Sequence, residues 1–127
     1  MEEYDIRAAG VHEIARTLSG GNLQKVILAR VLSRNPEVII ASQPTRGLDV
    51  GAAEYIHNKL VEQRARGAGV LLLSEDLNEV ISLSDRIIAL YEGEIMGSLR
   101  RREFDLERIG LMMAGSRKED GHAASEV

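Results

Sequence analysis

The chain has 127 residues, 44% of them hydrophobic, with 16 Lys and Arg against 20 Asp and Glu and a formal net charge of −4. That length suits one domain or a piece of one, and cations scattered over a mildly acidic background argue against nucleic acid as the main partner. The absence of cysteine excludes disulfides and thiolate metal sites. No apolar run approaches the ~20 residues that span a bilayer, and the acidic start Met1-Glu2-Glu3 is unlike a signal peptide, so the composition reads as soluble and cytoplasmic.

Residues Met1 to Thr17 carry no strong periodicity, although Ile6, Val11 and Ile14 could seat them against a neighbour; the stretch reads as the end of something longer. From Gly21 to Arg34, Leu23, Val26, Ile27 and Val31 recur at helical spacing, with Gln24, Lys25 and Arg34 off the stripe. Ser19 is placed to cap this helix, and Asn35-Pro36 stops it, because the residue before proline is pushed out of the helical region. Val38-Ile39-Ile40-Ala41 is a short apolar run after a turn, the pattern of a buried parallel strand. Asp49 opens a second helix with Ala53, Ile56 and Leu60 inward, and Gly67 with Gly69 breaks the chain after it. Val70-Leu71-Leu72-Leu73 repeats the buried-strand pattern, and strand, helix, strand at this spacing implies a parallel unit.

Asp76 and Glu79 are spaced as a capping box for a short helix that buries Leu77, Val80 and Ile81. Glu92-Gly93, between Arg86–Tyr91 and Glu94–Leu99, is the strongest hairpin signal in the chain. Asp105 caps a last helix with Leu106, Ile109 and Met113 inward, closed by Gly115. Residues 1–115 therefore read as one α/β portion, and 116–127, small, charged and patternless, as a disordered tail.

Two strings carry chemistry. In Leu18-Ser19-Gly20-Gly21-Asn22-Leu23-Gln24, the glycines let backbone approach a ligand closely, and the helix beginning there turns its unpaired N–H groups and positive end outward. Such a terminus suits a terminal phosphate; its bland alternative is an ordinary helix start. The second string, Gln43-Pro44-Thr45-Arg46-Gly47-Leu48-Asp49, follows an apolar strand and leads into a helix. No G-x-x-x-x-G-K-[ST] phosphate loop occurs in the sequence. His57 has no second ligand at the right spacing on its helix face and reads as a surface or interface residue, and His12 and His122 are uninformative. Arg100-Arg101-Arg102-Glu103 reads as a solvated connection, and Met112-Met113 as packing.

These strings resemble the signature loop and the end of the Walker B strand running into the D-loop of ABC-type ATPases. More narrowly, Ala15–Asn22, Pro44–Ala52, Leu83–Ile87 and Ile109–Gly115 are similar to the sugar- and nucleoside-importer subgroup, in which one polypeptide carries two cassettes in tandem. The resemblance runs from about Tyr4 to Gly115 and is closest to the C-terminal part of the second cassette. It implies a partial P-loop NTPase fold: parallel strands, a C-terminal β-hairpin and helices on the faces. In ABC dimers ATP lies between the phosphate loop of one domain and the signature loop of the other. The resemblance thus gives Leu18, Ser19, Gly20, Gly21, Asn22 and Gln24 to a partner's nucleotide, and Gly47, Leu48 and Asp49 to communication between the two sites. Asp49 doubles as an N-cap.

Three departures accompany the match. Where the family has Asp-Glu before the proline, this chain has Ser42 and Gln43, and at the switch histidine it has Glu75. Serine is a poor substitute for a Mg²⁺-holding aspartate, glutamine positions water but cannot accept its proton, and a glutamate sets negative charge beside a γ-phosphate. Together these changes imply a degenerate site; alternatively the three side chains are solvated or satisfied polar residues without a role. The resemblance implies ATP and Mg²⁺ in a complete assembly, with nothing held tightly by this chain and no hydrolysis by it alone. The implied partners are a sister cassette and membrane permease subunits at the inner face of the membrane. The isolated piece, with open sheet edges, is expected to oligomerise. A second reading is a non-catalytic interaction remnant; a DNA-repair or chromosome-organising ATPase would call for long charged heptads, absent here.

Overall fold

The computed structural model describes residues 6–7, 12, 18–116 and 118–119. Val11, Ile14, His122 and the end of the expected tail lie outside the described residues. The chain divides into two units, Met1–Leu73 and Ser74–Val127, each taken by itself below.

In the first unit, helix α1 spans Gly20–Leu32, strand β1 Val38–Ser42, helix α2 Val50–Ala65 and strand β2 Gly69–Leu73. The α1 cap is the expected one: the Ser19 hydroxyl accepts from the Asn22 amide at 3.3 Å. The helix ends two residues before the expected Arg34, because the amides of Arg34 and Asn35 turn back onto the carbonyls of Val31 and Leu32. Asn35 adopts a left-handed φ of 47° just before Pro36.

Its inward face is not the expected one. Leu28 and Leu32 point into the core with Ile39, Ala41, Ile56 and Leu60, while Leu23, Ile27 and Val31 stay exposed. Apolar residues occupy two adjacent stripes of α1, and periodicity alone cannot choose between them.

β1 and β2 pair in parallel, from Val38 opposite Gly69 to Ser42 opposite Leu73. Burial alternates rather than covering both faces. Ile39 and Ala41 are buried over α2, whereas Val38 and Ile40 are 68% and 69% exposed, and Leu71 and Leu73 on the same side are exposed too. The sequence has the two-faced apolar character of a buried parallel strand; among the described residues only one face is covered.

On α2 the buried positions are Ala52, Ile56, Leu60 and Gln63, so Ala52 takes the inward place expected of Ala53. The helix closes on Gly67, whose amide donates to Arg64 O at 2.9 Å, while the Ala68 amide reaches Gln63 O at 3.1 Å. This is the paired 5→2 and 6→1 pattern that ends a helix on a left-handed residue. The Lys25 ammonium lies 4.5 Å from the centre of the Tyr55 ring, a cation–π contact that ties α1 to α2.

The second unit holds helix α3 (Leu77–Leu83), strands β3 (Arg86–Tyr91) and β4 (Glu94–Arg100), a short 3-10 turn at Arg101–Glu103, and helix α4 (Leu106–Met113). Asp76 caps α3 by accepting from the amides of Asn78 and Glu79. The Asp76 amide, which a capping box would hand to Glu79, donates to Ser74 Oγ at 3.0 Å, and Glu79 is buried. β3 and β4 pair antiparallel around Glu92-Gly93, with an irregularity between Ala89 and Leu90. Both turn residues have positive φ, as a two-residue hairpin that follows strand twist requires.

The core of this unit is Ile87, Ala89, Met96, Leu99, Ile109 and Met112, with Leu77, Val80, Ile81 and Phe104 against it. Met112, not Met113, points inward, and Leu106 is exposed. The reason is Gly97: a Cβ built there would lie 2.5 Å from the Met112 sulfur, so the missing side chain is the hole that Met112 fills.

The run Arg100–Glu103 is anchored. The Arg100 amide donates to Glu103 Oε2 at 2.8 Å, and Arg101 reaches the carbonyls of Asp85 and Ser84. Past Gly115, the Glu119 amide donates to Met96 O at 2.8 Å and its carboxylate takes two bonds from Arg108. The Lys118 ammonium sits 2.7 Å from Glu94, and holds that carboxyl below its ordinary value.

Candidate functional site

The glycine-rich string lies where a helix offers donors. Ser19 and Gly20 are exposed and Gly21 and Asn22 half-buried at the amino end of α1. The amides of Gly20 and Gly21 belong to the first turn, which has no intrahelical acceptors, and the end carries the positive pole of the helix dipole. The Ser19 hydroxyl caps Asn22, the Ser19 carbonyl accepts from Leu23 at 2.9 Å, and Asn22 Oδ1 accepts from the Arg7 amide at 3.0 Å. Backbone and hydroxyl donors at an exposed, side-chain-free helix start fit a phosphate group.

Directly behind this turn stands the second string. The chain leaves β1 at Ser42, which is exposed opposite Leu73. Gln43 extends the ladder by one bond, its amide donating to Leu73 O at 2.8 Å, and then turns with a φ of 47°. A left-handed glutamine costs on the order of 1 kcal/mol against an ordinary backbone, and it swings the following residues off the sheet. Pro44 is buried, and the turn closes through Arg46 N to Gln43 O at 3.3 Å and Leu48 N to Thr45 O at 3.1 Å. Asp49 then caps α2 by accepting from Ala52 N at 3.0 Å.

The two strings form one block inside the first unit. A Cβ on Gly21 would lie 3.0 Å from the Ala52 Cβ and 4.0 Å from Asp49 Oδ2, and one on Gly20 would lie 3.9 Å from Leu48. Gly21 is therefore the close-approach residue that lets the first turns of α1 and α2 meet, and Gly20 is the open one. Gln24 donates from Nε2 to Pro44 O at 3.0 Å across 20 residues of sequence. Leu18–Gln24 and the Pro44–Asp49 turn thus lie against one another. Pro44 and Ala52, which anchor them, bound the Pro44–Ala52 string, but the sequence assigns neither a packing role; the small pair Gly51-Ala52 after Asp49 is the available signal.

Glu75 belongs to the second unit, where it is exposed just before the Asp76 cap of α3. Among the described residues no group of three or more His, Asp or Glu is arranged to hold a metal ion. Ser42 and Gln43 offer a hydroxyl and an amide, neither carrying charge, so a carboxylate-bound divalent cation does not fit them.

Comparison with known proteins bears on the family. Guanosine import ATP-binding protein NupO of Bacillus subtilis is 53% identical over 124 residues, 97% of this chain and 24% of that protein. Glucose import ATP-binding protein TsgD13 of Haloferax volcanii is 50% identical, over 100% of this chain and 24% of its own length. Nucleoside import ATP-binding protein NupA of Lactococcus lactis is 48% identical, over 91% and 23%. The chain therefore spans about a quarter of the length of these curated relatives. Among solved structures, the dimeric post-hydrolysis state of the ATP-binding cassette MJ0796 bound to ADP and Pi matches with a TM-score of 0.70 at 32% identity, over 81% of this chain and 44% of that one. The ADP conformation of MJ1267, an ATP-binding cassette of an ABC transporter, matches with a TM-score of 0.62 at 28% identity, over 77% and 37%. No protein-family model matches the chain. Over nearly its whole length the chain is thus similar to a quarter of the sugar and nucleoside import ATP-binding proteins, and it has the fold of the ABC ATP-binding cassettes.

Proposed function

We propose that this chain is the signature-bearing part of the ATP-binding subunit of an importer for sugars or nucleosides. In that subunit it lends Leu18–Asn22, with Gln24 behind them, to a triphosphate held on the phosphate loop of a sister cassette. Gly47, Leu48 and Asp49 report that contact to the rest of the domain, which docks on membrane permease subunits at the cytoplasmic face. The observation that carries the reading is the exposed Ser19-Gly20 helix start with the Gly47–Asp49 turn packed behind it. The names of the relatives support the substrate class, and the bare sheet face of the first unit supports packing against further protein in the assembly.

ATP with Mg²⁺ is the cofactor of the full assembly in this reading, bound mainly by the sister cassette. The chain's own side is degenerate: Ser42 supplies no charge for a cation, Gln43 orients water without accepting its proton, and Glu75 opposes an anionic phosphate. No helix among the described residues is long and apolar enough to cross a membrane.

A labelling experiment tests the proposal. These 127 residues contain no cysteine, so Ser19→Cys introduces a single thiol at the helix start. In the assembled pair, ATP should slow its modification by about tenfold or more, and in the chain alone ATP should change nothing. Equal modification rates with and without ATP in the assembly would contradict the proposal.

A further inference from the structure

Gln24 joins the glycine-rich string to the second string through its side-chain amide. It lies in the second turn of α1, half-buried, and its Nε2 donates to the carbonyl of Pro44 at 3.0 Å. Pro44 is buried and immediately follows Gln43, the left-handed residue at the general-base position. Of the fastenings between the two strings, the Gly21–Ala52 and Gly20–Leu48 approaches are apolar and without direction. The Gln24 bond is directional, and a carbonyl stripped of its donor in a buried turn is strongly disfavoured.

We infer that Gln24 is a positioning residue rather than a nucleotide contact: its amide couples the signature helix to the Gln43–Asp49 turn. A shift of α1 on meeting a partner's phosphate is then transmitted through Pro44 O to the residues that flank the hydrolysis position and to the Asp49 cap. Ser19 and Gly20 touch the ligand in this scheme, and Gln24 sets where the turn behind them rests. The inference relies on the composite-site reading above and deepens it.

The test compares three variants in the full ATP-binding polypeptide assembled with its partners. Gln24→Met keeps the length of the side chain and removes the donor; Gln24→Glu keeps the shape and at neutral pH cannot donate. Both should lower kcat about tenfold while leaving KM for ATP within about twofold, since the lost interaction acts on the transition state rather than on nucleotide binding. Because Gln24→Glu is nearly isosteric, its result stands even if Gln24→Met fails to fold. A raised KM with kcat intact would put the amide at the nucleotide and overturn the inference, as would wild-type kinetics in both. Gly20→Asp is the third arm. Lost turnover there keeps the composite site in place while Gln24 is judged, whereas unchanged turnover would remove the composite site and this inference with it.

Discussion

Gly20→Asp in the full polypeptide, assembled with a sister cassette, is expected to abolish hydrolysis at that cassette's phosphate loop, a loss of at least about 10²-fold. The structure separates this effect from misfolding. Among the described residues a Cβ at Gly20 meets Leu48 alone, at 3.9 Å, an ordinary contact, so the position accepts a side chain. An aspartate in the first turn of a helix is favourable to the helix itself, because its charge opposes the dipole and it can accept from free amides. The same two properties defeat phosphate binding: the carboxylate occupies the donors and repels a triphosphate. Gly20→Ala, which adds volume without charge, should cost far less. ATP turnover and thermal midpoint measured together give the result, and the expected signature is lost turnover with an unchanged or raised midpoint. Retained turnover would mean that the helix start does not face nucleotide.

The second large effect runs in the opposite direction. In the proposed assembly Ser42 and Gln43 leave their composite site slow, so Ser42→Asp with Gln43→Glu should return a cation-holding carboxylate and a base. Gains of about 10²–10⁴-fold are expected at that site. The backbone is prepared for this change. Gln43 is held by its amide on Leu73 O and its carbonyl on Arg46 N, and glutamate has the same shape. Turnover should be read with the other composite site silenced by removing its own base, so that only the restored side contributes. No gain from the double substitution would show that Ser42 and Gln43 do not line a hydrolysis site, and the bland reading of polar residues without a role would stand.

Local chemistry was legible from sequence, and geometry between distant residues was not. The caps at Ser19, Asp49, Asp76 and Asp105 were readable because each is a short-range bargain between one side chain and amides two or three residues on. The hairpin at Glu92-Gly93 was readable because the turn demands positive φ. Facing residues were harder. Leu28 and Leu32 beat Leu23 and Ile27 for the core because β1 and α2 lie on their side of α1, and Met112 beat Met113 because Gly97 lies opposite it. Neither partner is local in sequence.

The candidate site divides the same way. Its glycine-rich string and the Gln43–Asp49 string stand in plain view in the sequence. The contact of Gly21 with Ala52 and the bond from Gln24 to Pro44 required the fold. The left-handed Gln43 had no sequence signal either, since glutamine is not a residue that favours that region.

The account rests on a helix start aimed at another domain's triphosphate, in a stretch of 127 residues without a phosphate loop of its own. Equilibrium binding of labelled ATP to the purified chain tests this most directly. The predicted result is no saturable binding below about 1 mM, and micromolar affinity for ATP in the chain alone would contradict it.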